Sequence, residues 1–355
     1  MERNFLIKHI KDLTQSEKKV LQNPNDTSNL FYDYLSKEGY KDENGIYHLH
    51  YLNSEKYNKI PVSSNESFWD KLDLSPHQNF FRIKRASRYK KEPLYFADFI
   101  ALRYVYSGKC TITTQTDSFD LNKNDICILN KGFVLSQYLP DDEDIVFTLM
   151  FEKDYLIRNI LRMLKGNNVV SQFITNYIME NPNPENYIIF HGTNNDRITN
   201  IIEDLLCEYM DPTPQGDVLI ESYLKILLVE MTYCKYDYSQ KPNYNSIPRI
   251  AEILNYIDKN YDHISLEALS EQFGYNSKYL SRLIKKSTGS NLKDIVMQKK
   301  MDRCEILLIN TNLPIHEIML SCGFTNETFF YKKFKEIYGM YPKEYRVKKT
   351  YFNHK

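Results

Sequence analysis

No apolar run in these 355 residues approaches the 18 or so that a membrane-spanning helix requires, so the expectation is a soluble chain with no membrane partner. The opening stretch, MERNFLIKHIKDLTQSEKK, lacks the apolar core and small-residue cleavage site of a secretory signal, and the expected compartment is the cytoplasm. The six cysteines, Cys110, Cys127, Cys207, Cys234, Cys304 and Cys322, form no C-x-x-C pair. That spacing argues against a zinc site or a disulfide frame and for buried free thiols. Neither a nucleophile–base pair, nor a phosphate-binding loop, nor a metal-ligand cluster is legible, so no catalytic role, cofactor or metal is assigned. Net charge is also missing, with 46 basic residues against 46 acidic ones.

That zero is the sum of two unlike parts. Residues 246–355 carry 18 Lys and Arg against 12 Asp and Glu, leaving 28 against 34 in residues 1–245. A basic C-terminal third points toward a polyanion. At 355 residues with 42% hydrophobic content, the chain can build two or three cores. A polar stretch, SQKPNYNS, marks the main division.

Beyond this linker nearly every segment has helical period, and strand signals are absent. IPRIAEILNYIDKNY places Ile250, Ile253, Leu254 and Ile257 at spacings of three and four, with Pro248 in a first-turn position. SLEALSEQFGYNSKYLSRLIKKSTG predicts a short helix opened by Ser265, a break at Gly274 and a second helix closed near Gly289. A long helix over about 291–311 follows. The same unit then recurs in PIHEIMLSCGFTNETFFYKKFKEIYG, with breaks at Gly323 and Gly339. Leu266, Leu269 and Gly274 lie 49 positions before Ile315, Ile318 and Gly323. With one residue inserted in the turn, Tyr279, Leu280, Arg282, Ile284, Lys285 and Gly289 match Phe329, Phe330, Lys332, Phe334, Lys335 and Gly339. Two helix pairs with short glycine-containing turns are a duplicated helix-turn-helix.

The helix that follows Asn276 and Ser277 puts Leu280, Leu283 and Ile284 on one face and Lys278, Ser281, Arg282 and Lys285 on the other. In the second unit, after Asn326 and Glu327, Phe330, Phe334 and Ile337 form the core face. Thr328, Tyr331, Lys332 and Lys335 stand opposite. Most of the aromatic weight is therefore packing, and the outward stripes carry the hydrogen-bonding groups that a DNA major groove accepts. A linking helix of roughly 20 residues would span about 30 Å, comparable to the roughly 34 Å repeat of B-DNA, so both stripes can reach successive major-groove turns. A solvated helix face is the alternative for either stripe alone; duplication favours the groove.

Residues 80–155 differ, with short runs rich in Val, Ile, Tyr, Phe and Thr between turn residues, as in FIALRYVYSGKCTITTQTDSFDLNKNDICILNKG. This is the pattern of a β-sandwich or small barrel. RITNIIEDLLCEYM and VLIESYLKILLVEMTYC, joined by DPTPQGD, predict a helical hairpin over 196–211 and 217–234. Ile201, Leu205, Leu224, Leu227 and Leu228 would bury either a homodimer contact or a face against the β region. Residues 1–75 are a mixed lead with Asn44-Gly45 as a turn candidate.

The C-terminal third resembles the DNA-binding domain of the AraC/XylS family of bacterial transcription regulators. The resemblance covers about 100 residues. It rests on Ile315, Glu317-Ile318, Gly323-Phe324, Phe329-Phe330, Phe334-Lys335, Gly339, Pro342 and Tyr345-Arg346. It implies base contact by Lys278, Ser281 and Arg282, then by Glu327, Thr328, Tyr331 and Lys332. Met319 and Cys304 depart from the family's usual alanines. More loosely, LRYVYSGKCTI and LNKNDICILNKG are similar to the cupin-like effector domains of that family. Ala97, Asp98 and Leu135 stand where metal-binding cupins carry ligands, and His48 with His50 lacks a third, so no metal is expected. Arg82, Arg103, Tyr104 and Tyr106 could line a pocket for a small anionic or polar effector.

The expected fold is therefore α+β and multidomain. A cupin-like β-barrel with a helical hairpin precedes an all-α domain of two helix-turn-helix units joined by a long helix. The divisions are 1–75 (lead), 76–155 (β-rich sensing domain), 156–240 (helical dimerisation region) and 246–350 (DNA-binding domain). The expected function is sequence-specific transcription regulation. The expected partners are double-stranded DNA, a second copy, a small-molecule effector and, for an activator, RNA polymerase.

Overall fold

The computed structural model describes residues 1–23, 40–49, 69, 81–97, 99–115, 117–130, 132–151, 155–156, 168–178, 187–192, 196–238 and 250–352. They divide into two compact units, Met1–Pro248 and Arg249–Lys355. Pro248, His50, Asp98 and the SQKPNYNS stretch lie outside the described residues.

The first unit is built on two six-stranded sheets. One runs β1 (Tyr40–Lys41), β2 (Tyr47–Leu49), β4 (Tyr95–Ala97), β9 (Val134–Tyr138), β6 (Lys109–Thr113), β7 (Ser118–Asn122). The other runs β12 (Lys235–Tyr238), β11 (Tyr187–His191), β8 (Ile126–Leu129), β5 (Ile100–Ser107), β10 (Ile145–Phe151), β3 (Phe81–Arg85). Every neighbouring pair is antiparallel except β2 with β4. The sheets face one another over a shared core in which Tyr95, Cys110, Ile112, Leu121 and Leu135 of the first meet Ala101, Val105, Cys127, Leu129, Val146 and Met150 of the second. Alternation along β5 sends Ala101, Arg103 and Val105 into this core and Tyr104 and Tyr106 to the opposite face.

Helices α1 (Arg3–His9), α2 (Gln15–Gln22), α3 (Val169–Ile178), α4 (Asp196–Met210) and α5 (Gly216–Met231) complete what is described of this unit. Tyr209 of α4 packs edge-on against Phe81, with ring centroids 5.3 Å apart. Arg3 of α1 reaches Asn200 at 2.9 Å and also pairs with Asp204.

Two of the expected divisions change here, and one open alternative closes. Residues 156–240 are not wholly helical, because β11 and β12 extend the second sheet beyond β8. The lead is not separate, because β1 and β2, joined through the Asn44-Gly45 turn, edge the first sheet. The hairpin leucines are already used inside one chain: Ile201 is 8% exposed, Leu205, Leu224 and Leu227 are fully buried, and Leu228 is 3% exposed. The exposed apolar residues of α5 and its C-terminal turn are instead Val218, Ile226, Val229 and Tyr233.

The second unit is all-helical: α6 (Ile250–Asn260), α7 (Leu266–Phe273), α8 (Ser277–Thr288), α9 (Leu292–Asn310), α10 (Ile315–Ser321), α11 (Glu327–Tyr338) and α12 (Pro342–Phe352). Ile250, Ile253, Leu254 and Ile257 are all buried. Met319 and Cys304 sit in one core with Met301, Ile318, Phe324, Phe330 and Phe334, so their bulk is taken up by packing.

Candidate nucleic-acid interface

Each helix pair is made by punctuation that the sequence carries. Ser265 caps α7 by accepting from the Ala268 N–H at 3.1 Å, and Asn276 caps α8 by accepting from Lys278 at 2.9 Å. Asn326 does the same for α11, accepting from Phe329 at 2.9 Å. Gly289 and Gly339 close α8 and α11 in the left-handed conformation, at φ 74° and 75°, which a side chain would strain. The side-chain oxygens of Asn276 and Asn326 are thus committed to their helices. Ser277 is committed as well, its hydroxyl 2.8 Å from that of Ser270 across the turn.

On α8 the buried residues are Leu280, Leu283, Ile284 and Ser287. Lys278, Arg282 and Lys285 are exposed and Ser281 is half-buried. On α11, Phe330 and Phe334 are fully buried, Ile337 is half-buried and Phe329 remains 46% exposed. Glu327, Thr328, Tyr331, Lys332 and Lys335 line one concavity of about 700 Å³ with Glu336 and Tyr341. The Lys335 ammonium lies 4.5 Å from the centre of the Tyr341 ring, which holds it in place without neutralising it. Lys333, one residue round the helix, pairs with Glu336 at 2.8 Å. Among the described residues Lys278, Arg282, Lys285 and Lys332 have no carboxylate partner.

The spacer between these helices is tied down from its middle to its C-terminal end. At 1.5 Å per residue the 19 residues of α9 span about 28 Å. Lys299 forms an ion pair with Asp258 at 2.8 Å and Arg303 with Asp262 at 3.5 Å, fixing α9 to α6 and the turn after it. At the other end Arg346 donates to the carbonyls of Leu308, at 3.1 Å, and Leu313, at 2.7 Å. The Tyr345 hydroxyl donates to Glu305. Ser281 of α8 and Asn326 and Phe329 at the start of α11 border one cleft along α9.

The four residues expected to line an effector pocket are separated. Arg103 is 2% exposed between the sheets, where it donates to the Tyr95 hydroxyl and the Gln137 side chain. Arg82 lies on the same sheet face, opposite Met150 as Arg103 is opposite Thr148. Tyr104 and Tyr106 project from the other face toward α4. There the Tyr104 hydroxyl is 2.8 Å from that of Thr199, and the Tyr106 hydroxyl donates to Glu203 at 2.7 Å. Burial pushes Tyr104 up to about 12, and burial together with the Glu203 bond raises Tyr106 as well.

Sequence reasoning missed the residues that share the space around Arg103 between the sheets: Lys84, Glu92, Tyr95, Gln137 and Thr148, brought together from four other strands or their flanks. Gln137 donates to Glu92 at 2.8 Å. Burial opposes the charge on Arg103, but Tyr95 and Glu92 outweigh it and raise its pKa. Arg103 Nε and Glu92 Oε2 are buried without a hydrogen-bond partner. The space these residues enclose is about 20 Å³, room for about one water. His48 is held by Asp42 at 3.0 Å.

Comparison with known proteins agrees with this architecture. Residues 269–348 match a helix-turn-helix domain family and residues 101–233 match the ExsA N-terminal regulatory domain. The transcriptional activator AarP of Providencia stuartii is 30% identical over 117 residues, covering 33% of this chain and 87% of AarP. The multiple antibiotic resistance protein MarA of Salmonella typhimurium is 32% identical over 99 residues, covering 28% of this chain and 78% of MarA. The xylose operon regulatory protein of Escherichia coli K12 is 29% identical over 100 residues, covering 28% of this chain but only 26% of that protein. Among solved structures, ToxT of Vibrio cholerae O395 aligns with 76% of this chain and 98% of its own, at 13% identity and a TM-score of 0.31. The duplicated helix pair, its motif residues and its likeness to regulators matched over most of their length agree: the chain belongs to the AraC/XylS family of bacterial transcription regulators.

Proposed function

We propose that this protein is a sequence-specific DNA-binding regulator that reads two successive major-groove segments with α8 and α11. The observation that carries the reading is the pair of unneutralised cationic stripes, each laid over an apolar core face and set apart by a braced spacer. Lys278, Ser281 and Arg282 of α8 and Glu327, Thr328, Tyr331 and Lys332 of α11 are assigned to base edges. Lys285 and Lys335 are assigned to phosphates. Asn276, Ser277 and Asn326 serve first as caps and turn fasteners that aim these groups.

Control is assigned to the first unit. Arg103, with its unsatisfied Nε, supports recognition of a small polar or anionic effector between the sheets, and the partners there are Lys84, Gln137 and Tyr95 rather than Tyr104 and Tyr106. Entry requires the sheets to open, since the enclosed space of about 20 Å³ has room for only about one water. Homodimerisation is assigned to the outward stripe of α5, through Val218, Ile226, Val229 and Tyr233. As an activator the protein would also meet RNA polymerase.

The test is selection of bound fragments from the genome of origin by the full chain, followed by titration of a selected duplex at several salt concentrations. Binding through several phosphates weakens steeply with salt. Recovery of no enriched sequence, or salt-insensitive binding, would remove the reading.

A further inference from the structure

We propose that the cleft between the two helix-turn-helix units seats the stretch of sugar–phosphate backbone joining the two groove segments, with Lys293 and Lys300 of α9 as its phosphate contacts. This rests on the two-groove reading above and assigns a binding role to the spacer, which that reading used only to set distance.

The position comes first. The cleft, about 760 Å³, is bordered by Ser281 on one recognition helix and by Asn326 and Phe329 at the start of the other, with α9 as its base. A duplex engaged by both helices has to cross it. Lys293 and Lys300 are seven residues apart and lie on one face of α9, as i and i+7 do in any α-helix. Both border the cleft.

The charges come next. Lys299 of the same helix is spent on Asp258 at 2.8 Å, on another face. Lys293 and Lys300 have no carboxylate partner among the described residues. The Lys300 ammonium lies 3.0 Å from the point a β-carbon on Gly323 would occupy, which places it over the turn between α10 and α11. One carboxylate, Glu267, also lines the cleft, leaving two ammonium groups against it.

The floor completes the site. Val296 and Met297 of α9 lie between the lysines, Leu292 precedes them, and Phe329 of α11 is 46% exposed and lines the same cleft. An apolar floor suits the C–H face of deoxyribose.

The experiment uses the full chain, a selected operator duplex and an unrelated duplex of equal length, titrated between about 50 and 200 mM salt. Lys293→Ala/Lys300→Ala is expected to reduce the slope of log affinity against log salt by about 1.8, at about 0.9 per lost phosphate contact. Over that fourfold salt range the change amounts to about twelvefold in affinity. Operator and unrelated duplex should weaken by the same factor. Ethylation interference should vanish at phosphates between the half-sites while remaining at those flanking them. Lys299→Ala is the control and should leave the slope alone. An unchanged slope in the double variant, with its helical circular dichroism intact, overturns the proposal while leaving the two-groove reading standing. So does a loss confined to the operator. Equal weakening without any change in slope, together with protection of the cleft by an amphiphilic organic anion, assigns the cleft to that other occupant and also overturns it. Failure of the unaltered protein to bind any duplex removes both.

Discussion

Glu17→Gln should destabilise the first unit by about 3–5 kcal/mol, the usual consequence of leaving buried cations without their counter-ion. Glu17 closes a capping box at the start of α2, accepting from the Thr14 N–H at 2.9 Å while its own N–H donates to Thr14 Oγ1 at 3.1 Å. The same carboxylate accepts from the Arg88 backbone N–H at 2.9 Å, from Arg88 Nε at 2.9 Å and Nη2 at 3.1 Å, and from Arg85 Nη1 at 3.4 Å. Glu17, Arg88 and Arg85 are 0%, 1% and 3% exposed. One carboxylate therefore answers two guanidiniums, and burial already pushes Arg85 down to about 10 despite Glu17. Trp69, the single tryptophan, is 2% exposed and lies with its ring 5.3 Å from the Arg85 guanidinium, so its fluorescence in urea reports this unit alone. With a denaturant slope of about 2–3 kcal/mol per molar, the midpoint should fall by about 1–2.5 M.

The same cluster fixes a pH dependence. Burial raises the Glu17 pKa, but Arg88 and Arg85 outweigh it and hold it below the ordinary 4.5. A depressed folded-state pKa contributes stability that is present above the unfolded value and lost as pH falls through the folded one. The gap between wild type and variant should be flat from about pH 8 to pH 6 and close in acid below about 4.5. A midpoint shift below about 0.3 M, or a gap that widens in acid, would refute the account of the cluster.

Arg282→Ala and Lys332→Ala should each weaken operator binding by about 1–3 kcal/mol with the melting of the helical unit unchanged. Full operator affinity in both would sink the assigned faces. Val229→Asp should turn a dimer into a monomer in sedimentation velocity without loss of folded signal, whereas Leu224→Asp, at a fully buried site, should unfold the hairpin. A Val229→Asp protein that stays dimeric would clear the outward stripe of that role. Asn326→Ala should cost the second unit about 1 kcal/mol and Asn326→Gly only a few tenths, because glycine is itself a good cap. Equal loss of DNA affinity in both variants, without that stability difference, would place the side chain at the DNA instead.

The second unit was legible because the signals that define it are local. Ser265, Asn276, Asn326, Gly289 and Gly339 cap helices from within one residue of their ends, and the 3.6-residue period says which face carries Leu280 or Phe334. Phe329 marks the limit of such a rule. It aligns with Tyr279 in the other unit, and both remain exposed, at 46% and 38%, so an aromatic in a helix need not be core. The separation of the effector candidates was also local, since Arg103 and Tyr104 are consecutive on one strand and the pleat must send them to opposite faces. What no local signal carries is pairing. YIIFH becomes a strand because β8, nearly 60 residues earlier, offers it an edge, and KYDY because YIIFH then offers another. Glu92 and Gln137 meet Arg103 for the same reason.

The hairpin shows the consequence for function. α5 carries Leu224, Leu227 and Leu228 together with Val218, Ile226 and Val229, so apolar residues ring most of its circumference and periodicity cannot choose which face turns inward. The choice is made by the rest of the unit: Leu224, Leu227 and Leu228 are buried within the chain, and Ile226 and Val229 are left outside. A surface for a partner is therefore defined by what the chain's own packing leaves over, and only the folded unit discloses it.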